Sequence, residues 1–288
     1  MANYLENYQK ILKFNGKQKS VKLSLNRFAD LSNEEFKKIY LNRFNSKQVQ
    51  TITDPLISIG KIRKSQQIAD NDNPSLDWRE LGKVTSVKDQ GDCGSCYAFA
   101  ALSTLESALL IQNEDQYKGI DLSEQQIIDC SFRNGGCNGG HETIVFQYLM
   151  TQDITREIDY PYIQRRSQCK QNLNDFVRVR GFYNSKEVDA SVLKYVIQNQ
   201  PVSIGVSGYS DVFRMYKSGI ISSDCGEDIN HAVQLVGYGR ENGMNYWIIK
   251  NSWGETWGEN GYARILMTEN TTTQTCGIGS DYTYPVLF

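Results

Sequence analysis

Long apolar stretches are missing from this chain of 288 residues. With no run of 18 or more apolar residues, a helix that crosses a membrane is not expected. Residues 1–30 show no basic start followed by an apolar stretch, so no secretory signal is expected within the chain. Histidine is scarce, with only His141 and His231 present. A second C-x-x-C and an H-x3-H are both absent, which argues against a zinc site. A βαβ pattern ahead of Cys93 and Cys96 is absent as well, which argues against a thioredoxin-like redox pair. The glycines of 135–140 have no lysine among them, so they are turn and cleft residues, not a phosphate loop. Neither a cofactor nor a metal is expected.

What is present has the length and composition of a globular protein with a sizeable core. The formal net charge of −2 conceals an asymmetry. Residues 1–70 carry a balance of +7 and residues 71–288 one of −9. A short basic segment on a longer acidic body is expected to bind that body. A nucleic-acid arm fits less well, because the positive charges are scattered among apolar positions. Seven cysteines, an odd number, fit three disulfides and one free thiol, although spacing alone leaves the connectivity open. Disulfides would imply an oxidising compartment, and hence a signal peptide missing from this chain.

Helical spacing of Tyr4, Leu5, Tyr8, Ile11, Leu12 and Asn15 predicts a first helix over 4–15. Val21, Leu23 and Leu25 alternate with polar residues, as a half-buried strand would. Ser32 followed by Glu35 forms a capping box that opens a helix over Asn33–Tyr40. Residues 45–73 are polar, with one proline, Pro55, and the basic group Lys61, Arg63 and Lys64. They read as a linker, the kind of segment in which proteolytic cuts fall. Further helices are expected from about Ser95 to Ile111, from Ser123 with Gln126 completing a capping box, over His141–Met150, and over Val188–Ile197. Strands are expected at Val202–Val206, Ala232–Gly237, Tyr246–Lys250 and Tyr262–Leu266. Helices first and strands later indicate an α+β protein of two lobes with a cleft between them.

The segment Gln90-Gly91-Asp92-Cys93-Gly94-Ser95-Cys96-Tyr97 comes directly before the longest helix. A thiol at a helix N-terminus meets the positive end of the dipole, which favours thiolate. Unpaired backbone N–H groups there suit a developing oxyanion. A nucleophilic thiol also needs a base. His231 opens the run His231-Ala232-Val233-Gln234, and Lys250-Asn251-Ser252-Trp253-Gly254 ends a later strand. Asn251 is placed to orient the imidazole, and Trp253 to shield that bond from water. His141 lacks an Asn or Asp partner in a matching motif and reads as a surface or cleft-wall histidine. Trp257 reads as a core aromatic. Asn270-Thr271-Thr272 is the one glycosylation sequon.

These motifs resemble the papain family of cysteine proteases, whose signature is C-G-[SA]-C-[WY] with His and Asn far downstream. Asp77-Trp78-Arg79, Cys137-Asn138-Gly139-Gly140, Asn230-His231-Ala232 and Trp257-Gly258-Glu259-Asn260-Gly261-Tyr262 extend the likeness along the chain. The resemblance implies a papain-like fold, a helical lobe over about 82–180 and a β-barrel-like lobe over about 181–288. Residues 71–288 would form this peptidase domain. Residues 1–70 would form a mainly helical, inhibitor-like prosegment, truncated at its start. Tyr4, Asn7, Ile11 and Asn15 match half of the prosegment's helical signature. Asn26-x-Phe28-x-Asp30 matches its later motif, with Ser24 where glycine is usual. A catalytically dead relative would lack the nucleophile or the histidine, and this chain keeps both.

The resemblance also implies roles. Cys96 would attack the peptide carbonyl, His231 would shuttle the proton, and Asn251 would orient it. Gln90 would donate to the oxyanion beside the Cys96 N–H. Gly139 and Gly140 would admit the substrate backbone. The disulfides would be Cys93–Cys137, Cys130–Cys169 and Cys225–Cys276. Gly205, Ile229 and Ala232 would line the main specificity pocket and Asp281 would close it, with Glu142 near the rim. The pocket would then accept Arg or Lys two residues before the scissile bond. The implied protein is a monomeric endopeptidase made as a zymogen, secreted or held in a lysosome- or vacuole-like compartment. Its implied partners are protein or peptide substrates, its own prosegment and cystatin-type inhibitors.

Overall fold

The computed structural model describes residues 2–17, 20–41, 75–174, 176–186, 189–268 and 274–288. The expected linker, the Asn270 sequon and the start of the helix expected at Val188 lie outside these residues.

The elements run α1 (Ala2–Lys17), β1 (Val21–Leu23), α2 (Asn33–Tyr40), β2 (Leu76–Asp77), α3 (Cys96–Gln112), α4 (Glu114–Tyr117), α5 (Glu124–Cys130) and α6 (Glu142–Leu149). They continue with β3 (Gly181–Ser185), α7 (Ala190–Ile197), β4 (Val202–Val206), α8 (Asp211–Arg214), β5 (Tyr216–Ile221), β6 (His231–Glu241), β7 (Met244–Lys250), β8 (Tyr262–Leu266) and β9 (Tyr282–Val286). The fold is α+β. Among the described residues the sheet order is β1-β5-β8-β7-β6-β4-β9-β3, with β2 beside β6.

Two apolar clusters make two lobes. One packs Tyr97, Leu102, Leu105, Phe146 and Leu149 among the helices, and the other packs Trp247, Ile249 and Trp257 on the sheet. A third, small cluster of Cys96, Ala100 and Ala232 joins α3 to β6 where the lobes meet. Helix α3 is buried around nearly its whole circumference, so the apolar face expected from Ala98, Phe99 and Leu102 is one side of a core helix.

The N-terminal segment shares the β-lobe's core. Ile11, Val21, Leu23, Phe28, Phe36, Tyr40 and Leu41 all pack into it. Strand β1 pairs antiparallel with β5, Val21 opposite Gly219. Gly219 has φ of 94°, and a Cβ there would strike the Ser20 carbonyl, so glycine is required for this docking. The expected stripe on α1 needs correction: Tyr4, Leu5, Tyr8 and Leu12 are exposed, and Asn7 and Ile11 are the buried residues. Asn7 earns its burial by donating to the carbonyls of Ala29 at 2.8 Å and Leu31 at 3.1 Å. The Ser32–Glu35 capping box is complete. At α5 only half of the expected box forms. Ser123 Oγ accepts from Gln126 N, while the Gln126 amide turns to Tyr148 and Asp153.

Candidate active site

Cys96 is the first residue of α3, and it stands outside the disulfides that the other six cysteines form. The disulfides are Cys93–Cys137, Cys130–Cys169 and Cys225–Cys276. The first ties the segment before α3 to the glycine turn at 135–140. The thiol therefore sits at the positive end of a 17-residue helix, between two lobes.

Strand β6 begins at His231, and its next residue, Ala232, packs in one small cluster with Cys96 and Ala100. His231 Nε2 lies 2.8 Å from Asn251 Oδ1, just beyond the end of β7. The Ser252 N–H donates to the same oxygen at 2.8 Å. An amide oxygen only accepts, so Nε2 carries the imidazole proton and Nδ1 is left for proton uptake. Trp253 stacks on the ring, with centroids 4.6 Å apart, and is itself fully buried.

Gln90 is clamped on every side. Its N–H donates to Ser252 O at 2.9 Å, and its Oε1 accepts from Ser252 Oγ at 2.8 Å. Its carbonyl accepts from Tyr162 OH at 2.6 Å. With Oε1 pinned, Nε2 faces the cleft and donates to Cys93 O at 2.9 Å and to Tyr40 O at 3.4 Å. The N-terminal segment thus lays a backbone carbonyl against this amide. Tyr40, Phe28 and Phe36 also surround Trp253 in edge-on contacts. Arg27 forks onto Asp89, and the Tyr40 hydroxyl donates to Asp92.

Gly139 and Gly140 are buried and follow Cys137, which the first disulfide ties to the segment before α3. Gly140 has a packing reason to be glycine, since a Cβ there would collide with the Tyr97 ring and the Asn134 amide. Gly205 pairs with Ala232 across β4 and β6, and its N–H donates to Asp281 O at 3.0 Å. Ile229 is half-buried against Gly277.

Two expectations change here. His141 is buried, not on the surface. It caps α6, its Nδ1 accepting from Thr143 N at 3.2 Å, and its Nε2 lies 2.9 Å from Asp281 Oδ2. Glu142 is fully buried rather than near a rim, with Ser203 Oγ donating to it at 3.4 Å. Asp281 is 4% exposed, and its second oxygen accepts from Asn184 Nδ2 at 3.0 Å.

A charge cluster that runs from buried Glu106 and Glu124 to exposed Asp121 went unread in the sequence. Lys88 Nζ meets Glu106 at 3.2 Å, Glu124 at 2.8 Å and Asp121 at 2.6 Å. Burial pushes the Glu124 carboxyl up to about 8 against the pull of Lys88. Burial also brings Lys250, the residue before Asn251, down to about 8. A single acid within the apolar run of α3, Glu106, was the available signal.

Comparison with known proteins gives a consistent match. Residues 73–286 match the papain family cysteine protease model, and residues 1–36 match the cathepsin propeptide inhibitor domain. A probable cysteine protease of Arabidopsis thaliana is 37% identical over 98% of this chain and 60% of its own length. A KDEL-tailed cysteine endopeptidase of the same plant is 37% identical over 94% of this chain and 75% of its own. The chain therefore spans less than two thirds of the first of these relatives. Among solved structures, the proform of the ragweed pollen allergen Amb a 11 cysteine protease superposes with a TM-score of 0.88. It is 33% identical over 100% of this chain and 88% of its own. Digestive procathepsin L2 of Tenebrio molitor gives 0.86 at 30% identity, over 99% and 91%.

Proposed function

The chain belongs to the papain family of cysteine proteases, and on that premise we propose that it is a cysteine endopeptidase made as a zymogen. Residues 1–70 are the inhibitory prosegment and residues 71–288 the peptidase. One observation carries this reading. His231 is bonded to Asn251, its neighbour Ala232 shares a small cluster with Cys96, and the Tyr40 carbonyl lies 3.4 Å from the Gln90 amide.

Once the prosegment leaves, His231 Nδ1 takes the Cys96 proton, and the thiolate attacks the carbonyl carbon of the substrate. The new C–S bond pushes the electron pair onto oxygen, which the Cys96 N–H and Gln90 Nε2 receive. The imidazolium returns its proton to the departing amine as the C–N bond breaks. Water, deprotonated by His231, then hydrolyses the thioester and restores the thiol. Asn251 keeps the imidazole aligned, with Trp253 over it.

Specificity rests on the residue two positions before the scissile bond. Gly205 leaves room for a long side chain, with Ile229 and Ala232 on the walls. The carboxylate of Asp281 favours Arg or Lys. Protein and peptide substrates, cystatin-type inhibitors and a secreted or lysosome- or vacuole-like location follow from the same reading, the location supported by three disulfides.

The test is hydrolysis of fluorogenic dipeptide substrates after acid activation. The wild type should turn over, and Cys96→Ala should be inert while keeping its fold. Thiol-sensitive turnover by Cys96→Ala would overturn the assignment.

A further inference from the structure

We propose that Tyr162 is a positioning residue for the oxyanion site: its one hydroxyl ties the Gln90 segment to the Cys96 segment and so fixes the separation of the two donors. The proposal rests on the roles of Gln90 and Cys96 given above.

The phenol oxygen has two partners. Tyr162 OH donates to the main-chain carbonyl of Gln90 at 2.6 Å, and it lies 2.8 Å from Ser95 Oγ. A carbonyl only accepts, so the phenol proton points to Gln90 and Ser95 is the donor in the second bond. The other acceptor within reach of the Ser95 hydroxyl, the Cys93 carbonyl, is farther away at 3.4 Å. Serine at a helix N-cap ordinarily caps the helix with its side chain. Ser95 is the N-cap of α3 and makes no such bond; its hydroxyl goes to Tyr162 instead. The next residue is Cys96, whose N–H is the second oxyanion donor.

Gln90 is held from two directions. Ser252 accepts its backbone N–H at 2.9 Å and donates to its Oε1 at 2.8 Å. Tyr162 holds its carbonyl from the segment that follows α6. That segment is itself fastened. The Tyr162 N–H donates to Glu157 Oε1 at 2.7 Å, and the Ile163 N–H donates to Gln125 Oε1 at 2.9 Å. The Tyr162 ring stands edge-on to Phe99, one turn into α3 from Cys96, with centroids 5.0 Å apart. The hydroxyl is therefore carried on a fixed frame. A small shift of either donor costs rate, because preorganised donors act on charge that develops in the transition state.

The experiment compares the mature wild type with Tyr162→Phe, which removes both bonds and keeps the ring beside Phe99. For a peptide substrate kcat should fall about 10- to 100-fold, with KM changed less than about twofold. Alkylation of Cys96 by iodoacetamide is the control, since sulfur displaces iodide at a saturated carbon and no oxyanion forms. That rate should stay within about twofold of wild type, because it follows the thiolate alone. In a Gln90→Ala background the further loss of kcat from Tyr162→Phe should be less than about twofold, since a separation matters only while both donors are there. An unchanged kcat in Tyr162→Phe would overturn the proposal. Alkylation slowed as much as hydrolysis would overturn it too, by placing the effect on the thiol, and so would a fully additive loss in the double variant. A wild-type kcat in Gln90→Ala alone would instead remove the reading of Gln90 as an oxyanion donor. If Tyr162→Phe does not mature, Ser95→Ala decides, because it cuts the hydroxyl's other bond. Its kcat should fall about threefold or more with alkylation unchanged, and a kcat equal to wild type would contradict the proposal.

Discussion

Gln90 holds the main-chain carbonyl of Tyr40 3.4 Å from its side-chain Nε2, so the amide that would receive an oxyanion binds the prosegment instead. The amide is aimed by Ser252 Oγ on its other atom. Gln90→Ala should lower kcat of the mature enzyme by about 100- to 1000-fold, as loss of one preorganised donor does, with little change in KM. Loss confined to KM would show that Gln90 positions substrate rather than the transition state.

The prosegment's grip is mainly aromatic. Phe36 is fully buried, 5.0 Å from the Phe28 ring and 5.3 Å from both Tyr40 and Trp253, with the Arg214 guanidinium over it at 5.4 Å. Phe36→Ala should cost about 3–5 kcal/mol, and prosegment added in trans should inhibit at least 100-fold more weakly. Inhibition within threefold of wild type would place the grip elsewhere.

Acid should loosen the same segment. The Ser32 backbone N–H, and then its hydroxyl, hold the Glu35 carboxyl below its ordinary value. A depressed carboxylate contributes stability above its ordinary range and loses it as pH falls through the depressed value. The capping box therefore begins to weaken below about pH 5 and goes on weakening as pH falls further. Across the interface, Arg27–Asp89 and Lys10–Asp211 are partly exposed pairs that salt should screen. The prosegment inhibition constant should rise from pH 7 to pH 4, and with salt at intermediate pH. Glu35→Gln, which still accepts from Ser32 but does not titrate, should flatten the acid limb. A constant that stays flat across pH 4–7 in the wild type would remove this electrostatic account.

Lys88 is the cation on which buried Glu106 depends, beside Glu124, whose carboxyl burial pushes up to about 8. Removing one partner leaves buried charge uncompensated, at a cost of about 3–5 kcal/mol. Lys88→Met in a Cys96→Ala zymogen should therefore lower the urea midpoint by that equivalent. A shift worth less than about 1 kcal/mol would mean that the carboxylates are neutral or solvated there.

Local signals in the sequence transferred well. The Ser32–Glu35 box, the edges of β4 and β8, and the thiol that opens α3 depend on residues within a few positions of each other. What was not legible depends on distant partners. Asn7 looks polar on a helix face, yet it is buried because Arg214, 207 residues away, donates to it at 3.0 Å. His141 looked unpartnered because Asp281 is 140 residues distant. Glu106 has no local reason to be buried until Lys88 and the Leu122 N–H arrive from other segments. Amphipathic reading also misjudged α1, where two asparagines, Asn7 and Asn15, face the protein while leucines face out.

Cys96 reactivity tests the central claim most directly. Alkylation by iodoacetamide should be followed at pH 5, where an ordinary thiol titrating near 8.5 is almost wholly protonated. The activated enzyme should label rapidly and only at Cys96, because the other six cysteines are paired. His231→Ala should slow that labelling by about 100-fold or more, and the intact zymogen should resist it. Labelling at pH 5 that is as slow as a free thiol, or unchanged in His231→Ala, would contradict a Cys96–His231 nucleophile held in check by the prosegment.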